Sequence, residues 1–298
     1  MSHDPPSPSA DRGPDQPLLS SSFALEHAPW ADLVFHVLAH AERTAALASS
    51  LVSPAYVAHA ARVLGPASGR ALGADAALLG ELLATHEQLA MVQGLAWLFD
   101  GIEPARASAD RDLAALSAND VSSGALLALL RGAGPAVELL RCAALLEAEA
   151  FARLPAPELD RAALASALSV TQTAAPSLAR HRVGICRALH QRGRVFGPSL
   201  LVGAPVPGSG PEIEHFAWQA AHEATVAEVQ RAARAGRHVG ERAIEHAALV
   251  LLGRRARRVR LGDAHARWIA HLAPGARQLE HSPLPPELDE LVARLLGR

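Results

Sequence analysis

The chain has 298 residues, enough for one large domain or two small ones with a sizeable core. Half of the residues are hydrophobic but only 4% are aromatic, so Ala and Leu carry the core and favour helices. A formal net charge of -2 recruits neither nucleic acid nor an anionic membrane, and the chain uses Arg with no Lys.

Residues 1–22, MSHDPPSPSADRGPDQPLLSSS, are rich in Pro, Ser and Asp. They bury too little apolar surface to offset ordering entropy, and a disordered tail is expected. The segment has no basic start followed by an apolar run, so no signal peptide is read there. Residues 23–167 then read as a helical lobe of five or six helices, broken first at Ser53-Pro54. Within it, His36 and His40 stand four residues apart, a spacing able to chelate a metal. They lie beside Asp32 and Arg43 and off the stripe of Val34, Val37, Leu38 and Ala41, which places them on a solvated or interfacial face. The most apolar stretch, GALLALLRGAGPAVELLRCAALL, is interrupted by Arg131, Pro135, Glu138 and Arg141, so no membrane span is expected. Cys142 and Cys186 show no CxxC spacing, which suits a reduced, cytoplasmic compartment.

Residues 168–298 read as a second lobe. HRVGICRALHQRGRVFGPSLLVGAP has two runs rich in Val, Ile and Phe around HQRGR. An antiparallel hairpin follows, roughly 183–189 paired with 194–203, with Pro198 marking an edge strand or a bulge. The fold class is thus mainly α with a small antiparallel sheet. After the loop VPGSGPE comes a helix from about Glu212 to Ala235, then ERAIEHAALVLLGRRARR and two closing helices.

On a wheel of about 100° per residue, His222 falls in the apolar stripe of His215, Trp218, Val226 and Val229, with Glu223 at its border. On the next helix, Glu241 falls inside the stripe of Ile244, Ala248, Leu251 and Leu252, and Glu245 near its edge. Buried imidazoles and carboxylates need partners. One solution is a polar latch between His222 and Glu245 or Glu241; another is a metal ion. A third is coincidence, because the chain has 15 His and 30 acidic residues.

The order of helices, hairpin, HE-bearing helix and Glu-bearing helix resembles the gluzincin metallopeptidases, whose motif takes the form HExxH-x18-E. The resemblance covers residues 183–256 and the rest by helical character. It implies a two-lobed metallopeptidase-like fold that binds zinc and aligns a peptide on a strand edge. Carried over by position, His222 resembles a first zinc ligand, Glu223 the general base, and Glu245 the third ligand. Val226 stands where the second His belongs, and valine binds no metal. His246 and His215 are the nearby candidates to replace it, His215 lying roughly 10 Å along the helix axis from His222.

Two functions follow from that resemblance. One is a zinc-dependent, peptidase-like hydrolase with a non-standard ligand set. The other is an inactive pseudoenzyme or peptide-binding partner protein that adds a peptide to the 194–203 edge, in the manner of HExxH-like proteins of bacterial peptide natural-product pathways. The partner is a peptide or protein in both. GRRARRVR, with five Arg, reads as a solvated helix end rather than a nucleic-acid surface, because no aromatic platform flanks it. There is no P-loop, no GxGxxG after a strand and no GxSxG.

Overall fold

The computed structural model describes residues 25–27, 32–33, 35–37, 54–65, 147–155, 159–189, 193–196, 199–204, 212–233, 239–272 and 274–297. The expected disordered tail at 1–22, His40 and Cys142 lie outside the described residues.

The described elements are mostly helical around a small sheet. Strand β1 (Leu25–His27) and helix α1 (Pro54–Leu64) come first, then α2 (Arg161–Gln172) and a short 3-10 turn (Pro176–Arg180). Strands β2 (Arg182–Cys186), β3 (Gly193–Phe196) and β4 (Ser199–Gly203) follow. The chain continues through α3 (Glu212–Ala233), α4 (Glu241–Arg258), α5 (Gly262–His271), α6 (Pro274–His281) and α7 (Pro286–Leu296).

The sheet order is β1-β2-β4-β3. The antiparallel pairing expected between 183–189 and 194–203 is not found: β2 runs parallel to β4, with Val183 opposite Leu200 and Ile185 opposite Val202. The antiparallel pair is β3 with β4, Phe196 opposite Ser199. The run GRVFGPSLLVG is therefore two strands, because the chain reverses between Phe196 and Ser199. β4 inserts between β2 and β3, and β3 becomes the edge. Central strands β2 and β4 are apolar on both faces, as parallel strands covered on both sides require, and Val183, Ile185, Leu200, Leu201 and Val202 are buried.

Most of the expected helical lobe at 23–167 lies outside the described residues, and its boundary is residue 168. That boundary falls inside α2, and β1 pairs in parallel with β2, in register Leu25 to Val183. The N-terminal segment is also tied down by charge. Buried Asp32 accepts hydrogen bonds from the Arg187 and Ala188 backbone N–H groups, and its Oδ2 lies 2.8 Å from Arg187 Nε.

Helix α3 is the hub. Ala217, Ala220, Ala221 and Ala224 give it a small-residue surface that joins a core with Leu164 and Leu168 of α2 and Leu200 and Val202 of β4. Its far end, at Val229, enters a second cluster with Ile244, Ala248 and Leu251 of α4 and Leu288, Leu291 and Leu295 of α7. Helix α4 serves both clusters, sending Leu249, Leu252 and Ala256 to the first. Burial of this kind contributes about 25 cal/mol per Å² of apolar surface, and it fixes where His222 and Glu223 point.

Candidate functional site

Glu223 faces the sheet edge. Its Oε1 accepts the Gly193 backbone N–H at 3.2 Å and the Gln219 Nε2 at 2.9 Å, one helical turn back. The contact requires glycine at the start of β3. A Cβ built on Gly193 would stand 2.4 Å from Glu223 Cγ and 2.8 Å from the Leu201 carbonyl oxygen. A carboxylate with a backbone donor on one oxygen is held as a strut between α3 and β3.

His222 turns the other way, toward α5. Its side chain is 13% exposed, and Nδ1 lies 3.8 Å from Glu223 Oε1, beyond hydrogen-bond distance. Neither ring nitrogen has a hydrogen-bond partner among the described residues. The ring packs against Trp268, centroids 5.6 Å apart. Trp268 in turn packs on His265 at 5.5 Å, and Trp218 of α3 closes the group 5.2 Å from His265. These four rings form an aromatic and imidazole cluster between α3 and α5.

His265 is buried, with Nδ1 3.6 Å from Glu280 Oε1 on α6. Burial, and then the nearby charges of Arg257 and His222, lower its pKa to about 4, so the ring is neutral at pH 7. Gly253 of α4 makes room for this contact: a Cβ there would sit 2.5 Å from Glu280 Oε1 and 3.1 Å from His265 Cε1.

The other expected site residues do not join His222. Glu245 is exposed on α4, so the imagined latch from His222 to Glu245 is replaced by contacts with α5. The reason is its border position: Ile244, Ala247, Ala248 and Leu251 fill the buried stripe and leave Glu245 outside it. Glu241 opens α4, but its side chain lies outside the described residues. His246 is buried with Nε2 3.3 Å from the Ser282 carbonyl oxygen, toward the link between α6 and α7. His215, one of the nearby histidines, lies partly buried on α3. Among the described residues, no three His, Cys, Asp or Glu side chains are grouped so as to hold a metal ion. His222, Glu245 and His246 are thus not gathered into such a group, and Val226 offers no ligand.

Comparison with known proteins adds nothing to this geometry: no family model, no curated protein and no solved structure matches the chain. The case for function rests on the residues themselves.

One polar cluster escaped the sequence reading. His36, expected on a solvated or interfacial face, is fully buried, as is Asp32. His36 Nδ1 lies 2.9 Å from the Tyr56 hydroxyl, and Nε2 lies 3.5 Å from Glu147 Oε2. Burial, and then the charge of Asp32, push up the pKa values of the Tyr56 hydroxyl and the Cys186 thiol. The signal available in the sequence was the pair Asp32 and His36, one helical turn apart. It reads equally as a wet face when the elements that cover it are unknown.

Proposed function

We propose that this chain is a metallopeptidase-like protein without peptidase activity, a peptide-binding partner that adds an extended peptide to the β3 edge of the sheet. The observation that carries this reading is the strut from Glu223 to the Gly193 N–H. In the gluzincin-like scheme this carboxylate would activate water; here its oxygen is engaged in holding the edge strand. Exposed Glu245, and Val226 in a ligand position, point the same way. Beyond Gly193, whose N–H is taken by Glu223, alternation along the antiparallel strand turns the Val195 N–H and C=O away from β4. Those are the groups a peptide strand pairs with. HExxH-like proteins of bacterial peptide natural-product pathways are the group this reading suits.

The test uses a set of labelled extended peptides screened by fluorescence anisotropy. For a peptide that binds, N-methylation of alternate amides abolishes binding in one phase and spares it in the other, because only every second amide faces the strand. Equal loss in both phases contradicts strand addition.

A second reading, the zinc-dependent hydrolase with a non-standard ligand set, is favoured by one observation: both buried ring nitrogens of His222 lack a hydrogen-bond partner among the described residues. Stoichiometric zinc in the purified protein, lost in His222→Ala, supports that hydrolase over the pseudoenzyme.

A further inference from the structure

A separate cleft of about 1030 Å³ opens at the far end of α3, between the 3-10 turn, α4 and α7. Its lining holds four arginines, Arg180, Arg231, Arg255 and Arg294, against two glutamates, Glu228 and Glu287. That is a local excess of positive charge in a chain whose formal net charge is -2. Arg255 is committed: its two terminal nitrogens lie 2.7 Å and 2.9 Å from the oxygens of Glu228. Arg180, Arg231 and Arg294 come from three different elements and are exposed; Arg180 acts on Glu228 through its charge, and Arg231 and Arg294 have no hydrogen-bond or ion-pair partner among the described residues. The remaining lining includes apolar side chains, Val239, Leu288, Leu291 and Leu295 among them.

We infer that this cleft binds a short acidic peptide segment that carries apolar side chains. The four guanidinium groups outnumber the two carboxylates of the lining, and an acidic ligand relieves that excess of positive charge. The apolar part of the wall favours side chains such as Leu over a bare inorganic anion. The volume lies at the upper end of the range for small-molecule sites, about 300–1000 Å³, and suits a peptide segment. This site is independent of the β3 edge. It lies beyond Glu228, whereas the strand contact uses Glu223.

The experiment measures anisotropy of a fluorescein-labelled decapeptide of Glu and Leu, alongside the same peptide with Gln for Glu and alongside inorganic phosphate as competitor. The intact chain is expected to bind the Glu peptide, with affinity falling as salt rises. The triple variant Arg180→Gln, Arg231→Gln, Arg294→Gln, built at exposed positions, is expected to weaken it about tenfold or more. The Gln peptide should bind as weakly as the Glu peptide binds that variant. Absence of saturable binding in the millimolar range, equal binding by the triple variant, or full displacement by phosphate at matched concentration overturns the inference. Glu223→Ala leaves this binding unchanged while weakening addition at the β3 edge, so failure of one site is distinguishable from failure of the other.

Discussion

At Gly193 a single missing methyl group lets α3 reach the sheet edge. Gly193→Ala is expected to cost about 1–3 kcal/mol in urea denaturation, because a Cβ would displace both the Glu223 side chain and the β4 backbone oxygen. His265 sets a pH dependence. Its pKa is lowered from 6.5 to about 4, so the unfolded chain takes up the proton first. Stability from the neutral ring is fully present above pH 6.5 and declines as pH falls toward 4, by up to a few kcal/mol. Glu228 acts in the same direction at lower pH. Burial raises its pKa, but the hydrogen bonds and charge of Arg255, with help from Ser177 and Arg180, lower it overall. Urea midpoints measured across this range should fall with acid, and His265→Phe should flatten the upper part of the curve. The wheel position of His222 was legible in part: it was read as central to the apolar stripe, whereas its side chain is 13% exposed, the same as Glu223, and the fully buried face runs through Ala217, Ala220, Ala221 and Ala224. The partners of His222 were not legible, because helical spacing reports which face a residue takes and not which later helix covers that face. Trp268 and His265 lie more than forty residues downstream.

Among the elements, α4 shows how a charged run becomes architecture. Its five-arginine end, read as a solvated terminus, is exposed at Arg257, Arg258 and Arg260. Arg255 instead grips Glu228 of α3 and donates to the Leu295 carbonyl at 2.9 Å; Arg254 reaches Asp289 at 2.9 Å; Arg258 donates to the Leu296 carbonyl at 2.6 Å. These bonds fasten α7 and satisfy carbonyls its C-terminus leaves open. Arg255→Ala strands the half-buried Glu228 and should cost about 3–5 kcal/mol, with amide exchange in α7 rising most. Restoring apolar volume with Arg255→Met and Glu228→Leu together should recover much of that loss. Helices α3, α4, α5 and α7 were legible because their apolar spacing is local, whereas α6, a short helix that carries Glu280, was not read. The strand order was not: GRVFGPSLLVG carries the composition of strands throughout, and only the parallel neighbour β2 decides that β4 is central and β3 is the edge.

For the whole molecule, two long-range ties join described N-terminal residues to the second half: β1 paired with β2, and Asp32 held by Arg187. Neither leaves a periodic trace, since each joins residues more than 150 positions apart. Edge strand β3 is braced by α3 at the Gly193 N–H, and the proposed function turns on whether the α3 carboxylate braces or catalyses. The most direct measurement follows one edge-binding peptide through the Glu223 series, recording affinity by anisotropy and integrity by mass spectrometry. If Glu223 is a strut, the peptide stays intact with the unaltered protein. Glu223→Gln keeps most of the affinity because its amide oxygen still accepts the Gly193 N–H, and Glu223→Ala loses about tenfold. Cleavage by the unaltered protein that disappears in Glu223→Gln, with binding retained, would show the carboxylate to be a general base and contradict the strut.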